Sequence, residues 1–179
     1  TGGDIILIAK SESAVYAVSA GLTGSGKVAF AGSATVNFIN NNTKSFIENS
    51  TVSSDTDTQV TDGHYPGVTV YAADTSKIHS LSGQVNFSDK AGIGAAFAYN
   101  QISNEVKAYI EENSDVTSDA YVIVKVVSDS EIMTIAVGGG FTGKVSGNGS
   151  IATNTIRNII AAYVAGSVVV ADSDIVITA

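Results

Sequence analysis

The chain contains no cysteine and no tryptophan, and only one proline and one methionine in 179 residues. Without cysteine there are no disulfides, no thiol nucleophile and no thiolate metal site. Secretion stays open, because a domain with a large core needs no disulfide. Charge is also scarce, at 15% of residues, and its balance is acidic, with a net charge of −8. Such a surface repels a phosphate backbone, so nucleic acid is not expected as a partner. Histidine is limited to His64 and His79, which leaves little material for general-base chemistry. No run of about 18 apolar residues suggests a membrane helix. The start, TGGDIILIAKSESA, lacks the basic stretch and long apolar centre of a signal peptide. A chain that begins at Thr1 without an initiator Met is expected to be a processed or excised piece of something larger.

What is present is small, β-branched and turn-forming. Apolar residues make up 44% and glycine contributes 18 positions. Val, Thr and Ile fit strands, whereas Gly, Ser, Asn and Asp fit tight turns. The length suits one domain with a sizeable core.

Internal repetition organises the chain. NFINNNTKSFIE (37–48) resembles NQISNEVKAYIE (100–111) at an offset of 63, and NTIRNIIAAYVA (154–165) follows at a further 54. Asn37, Asn100 and Asn154 coincide, as do Ile39, Ile102 and Ile156, and Asn41, Asn104 and Asn158. Upstream, Ser13, Ser76 and Ser130 align, followed by Val15, Ile78 and Ile132. The units span about 4–54, 68–118 and 119–173, and DTDTQVTDGHYPG (55–67) is a surface loop inserted in one of them. DIVITA (174–179) matches DIILIA (4–9) and reads as the start of a fourth unit. The chain is therefore expected to be a segment of a longer array.

Within a unit the pattern has period two. In KVAFAGSATVNFI, Val28, Phe30, Ala34, Val36 and Phe38 share one parity, and Ala29, Ala31, Ser33, Thr35 and Asn37 the other. VTVYA (68–72), YVIVKVV (121–127) and IMTIAV (132–137) also read as strands. The expectation is an all-β parallel β-helix, or solenoid, of about three 54-residue units, each compatible with two coils. The recurrent Asn residues suit a ladder of stacked amides or left-handed turn positions. The alternative is an antiparallel β-sandwich, with AVYAVSAGLT and VAFAGSATVNFI (28–39) paired as a hairpin around GSGK.

Several stretches invite chemistry. Gly21, Gly26 and Lys27 fit G-x-x-x-x-G-K, and so do Gly138, Gly143 and Lys144. A phosphate loop needs Ser or Thr next, where Val28 and Val145 stand, and a following helix. In the aligned middle copy, Gln84 and Asp89 replace the glycines ahead of Lys90. These are expected to be turns with solvent-facing lysines, with no nucleotide bound. His79 aligns with Tyr16 and Met133, so it reads as a packing residue. Asp55, Asp57 and Asp62 form a weak calcium candidate, but their spacing misses the EF-hand pattern. No cofactor is otherwise expected. His64 and Tyr65 in the inserted loop are the contact candidates. A polysaccharide lyase or hydrolase would need convergent carboxylates. Glu48 and Glu111 instead recur from unit to unit, as scaffold does.

ATVNFINNNTKSFI (34–47) and AFAYNQISNEVKAYI (96–110) resemble the repeats of very large filamentous surface adhesins of Gram-negative bacteria, the leukotoxin-like and haemagglutinin-type proteins exported by autotransporter or two-partner routes. IATNTIRNIIAAYV (151–164) departs from the polar pattern at Ile159 to Ala161. The resemblance implies a right-handed β-helical shaft on the outer membrane or secreted, and attachment to host or neighbouring cells through a receptor or glycan. It carries over no catalytic residue. The expected function is a non-enzymatic shaft and binding segment, flanked by further repeats and open to homotypic association. The alternatives are a carbohydrate-binding or polysaccharide-degrading β-helix, and a toxin passenger domain.

Overall fold

The computed structural model describes residues 3–56 and 65–179. Each unit folds as four strands of descending length. The first coil holds β1 (Ile5–Ser25), β2 (Val28–Ile39), β3 (Asn42–Glu48) and β4 (Thr51–Ser54). The second holds β5 (Gly67–Ser88), β6 (Ala91–Ile102), β7 (Glu105–Glu111) and β8 (Asp115–Ser118). The third holds β9 (Tyr121–Thr142), β10 (Val145–Ile156), β11 (Ile159–Val164) and β12 (Val168–Ala171), after which β13 (Ile175–Thr178) returns to the first sheet. Among the described residues, equivalent strands pair only with one another and always in parallel, giving sheets β1-β5-β9-β13, β2-β6-β10, β3-β7-β11 and β4-β8-β12. This is a parallel β-solenoid, and the antiparallel sandwich is excluded.

Two expectations need correction. A unit is one wide coil and not two, because Ile5 pairs with Val68 and Val68 with Val122. The segments read as separate strands at 121–127 and 132–137 are parts of the single 22-residue β9. Between the first two coils the register offset is 63 from Ile5↔Val68 to Glu48↔Glu111. It is 64 from Thr51↔Asp115 to Ser54↔Ser118, because the turn before β8 holds one residue more than the turn before β4, and it falls to 54 at Gly67↔Tyr121. The main change in length therefore lies between Ser54 and Gly67, where the inserted loop was expected.

The coil has a body and an arm. In the body, Val68, Val70, Val106, Ile110, Val116, Val122 and Val124 are fully buried in one cluster. Each such side chain contributes about 1.5–3 kcal/mol of transfer free energy. Stacking makes that core continuous from coil to coil, which no single coil could achieve. In the arm, the second half of the long strand runs out to a turn at Gly26–Lys27, and β2 runs back. Its two walls belong to different sheets. They meet through side chains and do not pair as a backbone hairpin.

The arm inverts the usual pattern. Its interior is small or polar: Ser33 and Ser82 share a hydrogen bond of 2.9 Å, and Thr35 and Ser80 one of 2.8 Å. The walls stand so close that a Cβ on Gly21 would lie 2.3 Å from the Gly32 carbonyl oxygen. Large side chains cannot enter such a gap, so the apolar parity turns outward. Tyr16, Val18 and Leu22 are about three-quarters exposed, at 73%, 77% and 76%, and Phe30 is 67% exposed.

Candidate interaction surface

Polar columns run through the coils where arm meets body. The Asn37 amide donates to Asn100 Oδ1 at 2.7 Å, and the Asn100 amide donates to Asn154 Oδ1 at 3.0 Å. Asn100 is fully buried, and its amide also donates to Thr134 Oγ1 at 2.7 Å, so its polar atoms are satisfied inside the fold. Four residues further along, the backbone N–H of Asn41 donates to Asn104 Oδ1 at 3.0 Å, and that of Asn104 to Asn158 Oδ1 at 3.1 Å. Neither row uses left-handed backbone. Positive φ falls instead on Asn49, Glu112 and Asn113, in the turn after the third strand of a coil. Ile39 and Ile102 are buried beside the column with Ile78, whereas Ile156, in the last full coil, is half exposed.

Asp74, which no sequence motif marks, lies inside this junction. It is 1% exposed, and it accepts hydrogen bonds from Asn41 at 2.8 Å, Asn104 at 2.6 Å and Ser76 at 2.8 Å. A buried carboxylate needs such donors. Ser11 and Ser128 hold the equivalent positions in the neighbouring coils, so the carboxylate interrupts the repeat. Its neighbourhood is amides and hydroxyls, and no base stands beside it.

On the outside of β3, β7 and β11 lies a different ladder. Phe46 stacks on Tyr109 at 5.3 Å, and Tyr109 on Tyr163 at 5.1 Å, with rings within 9° of parallel. Tyr109 donates its hydroxyl to Glu48 at 2.9 Å, and Tyr163 donates to Glu111 at 3.0 Å. Burial first, and then these bonds to carboxylates, push both phenol pKa values up. Glu105 bridges Lys107 at 2.6 Å and Lys44 at 3.3 Å. The bonds to Lys107 and Lys44 hold the Glu105 pKa below its ordinary value, and the Glu105 bond raises that of Lys107. Because each ring covers the face of the next, a sugar would find ring edges here rather than an open platform. Glu48 and Glu111 serve the ladder, consistent with scaffold.

The remaining candidates are scattered. Lys27, Lys90 and Lys144 all sit at the arm tip, exposed, with Asp89 among them. Strands and not helices follow them. Gly143 is fixed by the Asp89 carbonyl, which a Cβ would approach to 2.2 Å. His79 packs edge-on against Tyr16 at 5.3 Å, and its Nε2 lies 3.6 Å from Glu131. Asp57, Asp62 and His64 lie outside the described residues. Asp55 is exposed, and Tyr65 meets Tyr121 edge-on at 5.3 Å. Asp119 pairs with Asp55 in a hydrogen bond that, ahead of burial and the nearby charges of Asp55 and Asp172, raises its pKa. Among the described residues, no group of three His, Asp or Glu side chains is placed to hold a metal ion. Comparison with family models, characterised proteins and solved structures gives no match.

Proposed function

We propose that this chain is a non-enzymatic structural and attachment segment of a secreted filamentous adhesin on a Gram-negative cell surface. The observation that carries the reading is the coil-to-coil continuity of its ladders. Amide, aromatic and apolar columns pass through equivalent positions of successive coils. Each coil thus presents its neighbour with the groups that neighbour needs, which suits an extensible array. The resemblance of the repeats to adhesin repeats supplies the cellular setting.

The geometry also refines what such a segment does. Each coil adds only about 4.8 Å along the stack, while its longest strand reaches about 70 Å across it. The array is therefore a broad blade that gains surface faster than length. Attachment is assigned to the flank that carries Tyr65, beside Ile6, Ile8 and Tyr71, and the partner is a cell-surface receptor or glycan.

The test is binding of the purified chain to intact host cells and to a glycan panel, beside Tyr65→Ala and a variant lacking 55–67. Saturable binding that weakens in either variant supports the reading. Release of reducing ends from a polysaccharide, or an absence of binding with killing of the cells, would replace it with the enzyme or toxin alternative.

A further inference from the structure

Both broad faces of the arm expose apolar side chains to water, and the face built by β1, β5 and β9 carries a charge pattern that identifies its partner. Between residues 14 and 26, 78 and 88, and 132 and 143 there is no Asp, Glu, Lys or Arg. The charges are segregated to the two ends of this zone. The tip carries Lys27, Lys90 and Lys144 with a single carboxylate, Asp89. The two rows of this face that close the zone at its base carry Glu12, Asp129 and Glu131 with a single lysine, Lys77, and Lys10 follows in the next row out, over the Tyr71 ring. One end is cationic and the other acidic, with a neutral apolar stretch between them.

We infer that this face binds the same face of a second copy of the chain, antiparallel and about a two-fold axis. The middle of the zone is the row Ala20, Gly83 and Val137. There the missing side chain of Gly83 leaves a shallow apolar dimple of about 290 Å³, walled by Leu22, Val85 and Val137. An axis through this row lays each lysine tip over the acidic Glu12–Asp129 row of the other copy. It also sets the Val18–Leu81 rows against the Leu22–Val85 rows, while the two Gly83 dimples face one another across the axis. A parallel arrangement would set like charges together. The opposite face of the arm offers no such match, since its base row carries Asn40, Ser103 and Arg157.

Area and backbone chemistry favour a second copy over lipid. At about 3.3 Å per residue and about 4.8 Å between strands, the three strands present about 550 Å² of face. A two-fold pair would bury about 1,100 Å², above the roughly 1,000 Å² expected of a specific interface. The charge-free zone lets chains of net charge −8 meet without repulsion at the contact. In a bilayer, the unpaired N–H and C=O groups along the sheet edges would cost several kcal/mol each, because only closed barrels remove such edges. Packing in water leaves those edges hydrated.

The test is analytical ultracentrifugation of the chain across concentration, with variants on the exposed surface. The double variant Val18→Lys, Leu22→Lys is expected to weaken association at least tenfold. The control Val168→Lys, on a distant exposed position, should leave it unchanged. Lys27→Glu with Lys144→Glu should weaken association, and adding Glu12→Lys with Asp129→Lys should restore it, a rescue that only the antiparallel register gives. Gly83→Cys, in a chain with no other thiol, should link into dimers through a bis-maleimide of about 10 Å span. A parent chain that is monomeric at every concentration would overturn the inference, as would association indifferent to Val18→Lys, Leu22→Lys. Flotation of a monomeric chain with phosphatidylcholine vesicles, lost in that variant, would assign the face to lipid instead.

Discussion

Asn37 hands its side-chain amide hydrogen to Asn100 across 2.7 Å, although 63 residues of chain separate the two. That one bond fixes the pitch of the fold: a single turn of the solenoid consumes the whole unit. It also ties the buried middle coil to its neighbour at the narrow place where body and arm join.

Asn100→Ala should be among the costly single changes. It removes acceptor and donor together, leaving the Asn37 amide, Asn154 Oδ1 and Thr134 Oγ1 short of partners. The expected loss is about 1–3 kcal/mol. Asn154→Ala, in the exposed last coil, should cost less. Urea midpoints of the two variants give the comparison, and equal losses would argue against the column.

Gly21→Ala and Gly24→Ala should differ sharply, though both glycines lie in the segment that resembles a nucleotide loop. At Gly21 an added Cβ would press on the Gly32 backbone at 2.3 Å, while at Gly24 it meets nothing within 4 Å. Overpacking predicts about 1–3 kcal/mol or more for the first and a change within about 0.5 kcal/mol for the second. Thermal unfolding reports both. Calorimetric titration of magnesium-ATP into the parent and into Lys27→Ala should show no heat of binding in either.

The Asp55–Asp119 pair should leave a signature in the pH dependence of stability. The bond to Asp55 raises the Asp119 pKa above its unfolded value of 3.8, so the folded state holds the proton more tightly. The resulting stability is complete below the unfolded pKa and is lost as pH rises through the folded one. Glu105 works the other way. Its lowered pKa gives stability that is present above the unfolded pKa and lost as pH falls through the folded one. Asp119→Asn should therefore flatten the acid-side gain, and Glu105→Gln should remove an acid-side loss. Denaturant midpoints measured from pH 3 to pH 7 separate the two. A parallel shift of the whole curve in either variant would contradict the assignment.

The repeat itself was legible because aligned identities such as Asn37, Asn100 and Asn154 turned out to be register partners. The insertion was legible because it makes the one large break in the offset, beside a single-residue shift at the turn before β8. Coil count was not. A strand of 22 residues that passes from an apolar body into a polar-lined arm reads as two strands, since Asp74 and Ser76 look like a turn although they are buried inside the coil. Nor was the sidedness of the arm. Period two separates Phe30 and Phe38 from Ser33 and Thr35 but does not say which set faces in. The answer depends on how closely two walls approach, and that is set by Gly21 against Gly32 and by Gln84, whose side chain fills the space left at Gly94 and Gly138. The aromatic ladder was visible as Phe46, Tyr109 and Tyr163 in alignment. Its hydroxyl bonds to Glu48 and Glu111 were not.

One coil per unit is the central claim, and thiol crosslinking in this cysteine-free chain tests it most directly. Ala14, Lys77 and Glu131 occupy one row of successive strands. Neighbouring Cα atoms in that row stand about 4.8 Å apart, within reach of a disulfide. Under mild oxidation at low protein concentration, Ala14→Cys with Lys77→Cys should close an intramolecular disulfide, and so should Lys77→Cys with Glu131→Cys. Ala14→Cys with Glu131→Cys, two coils apart at about 9.6 Å, should stay reduced. If neither adjacent pair closes while the folded β signature persists, two coils separate the repeats and the account is wrong.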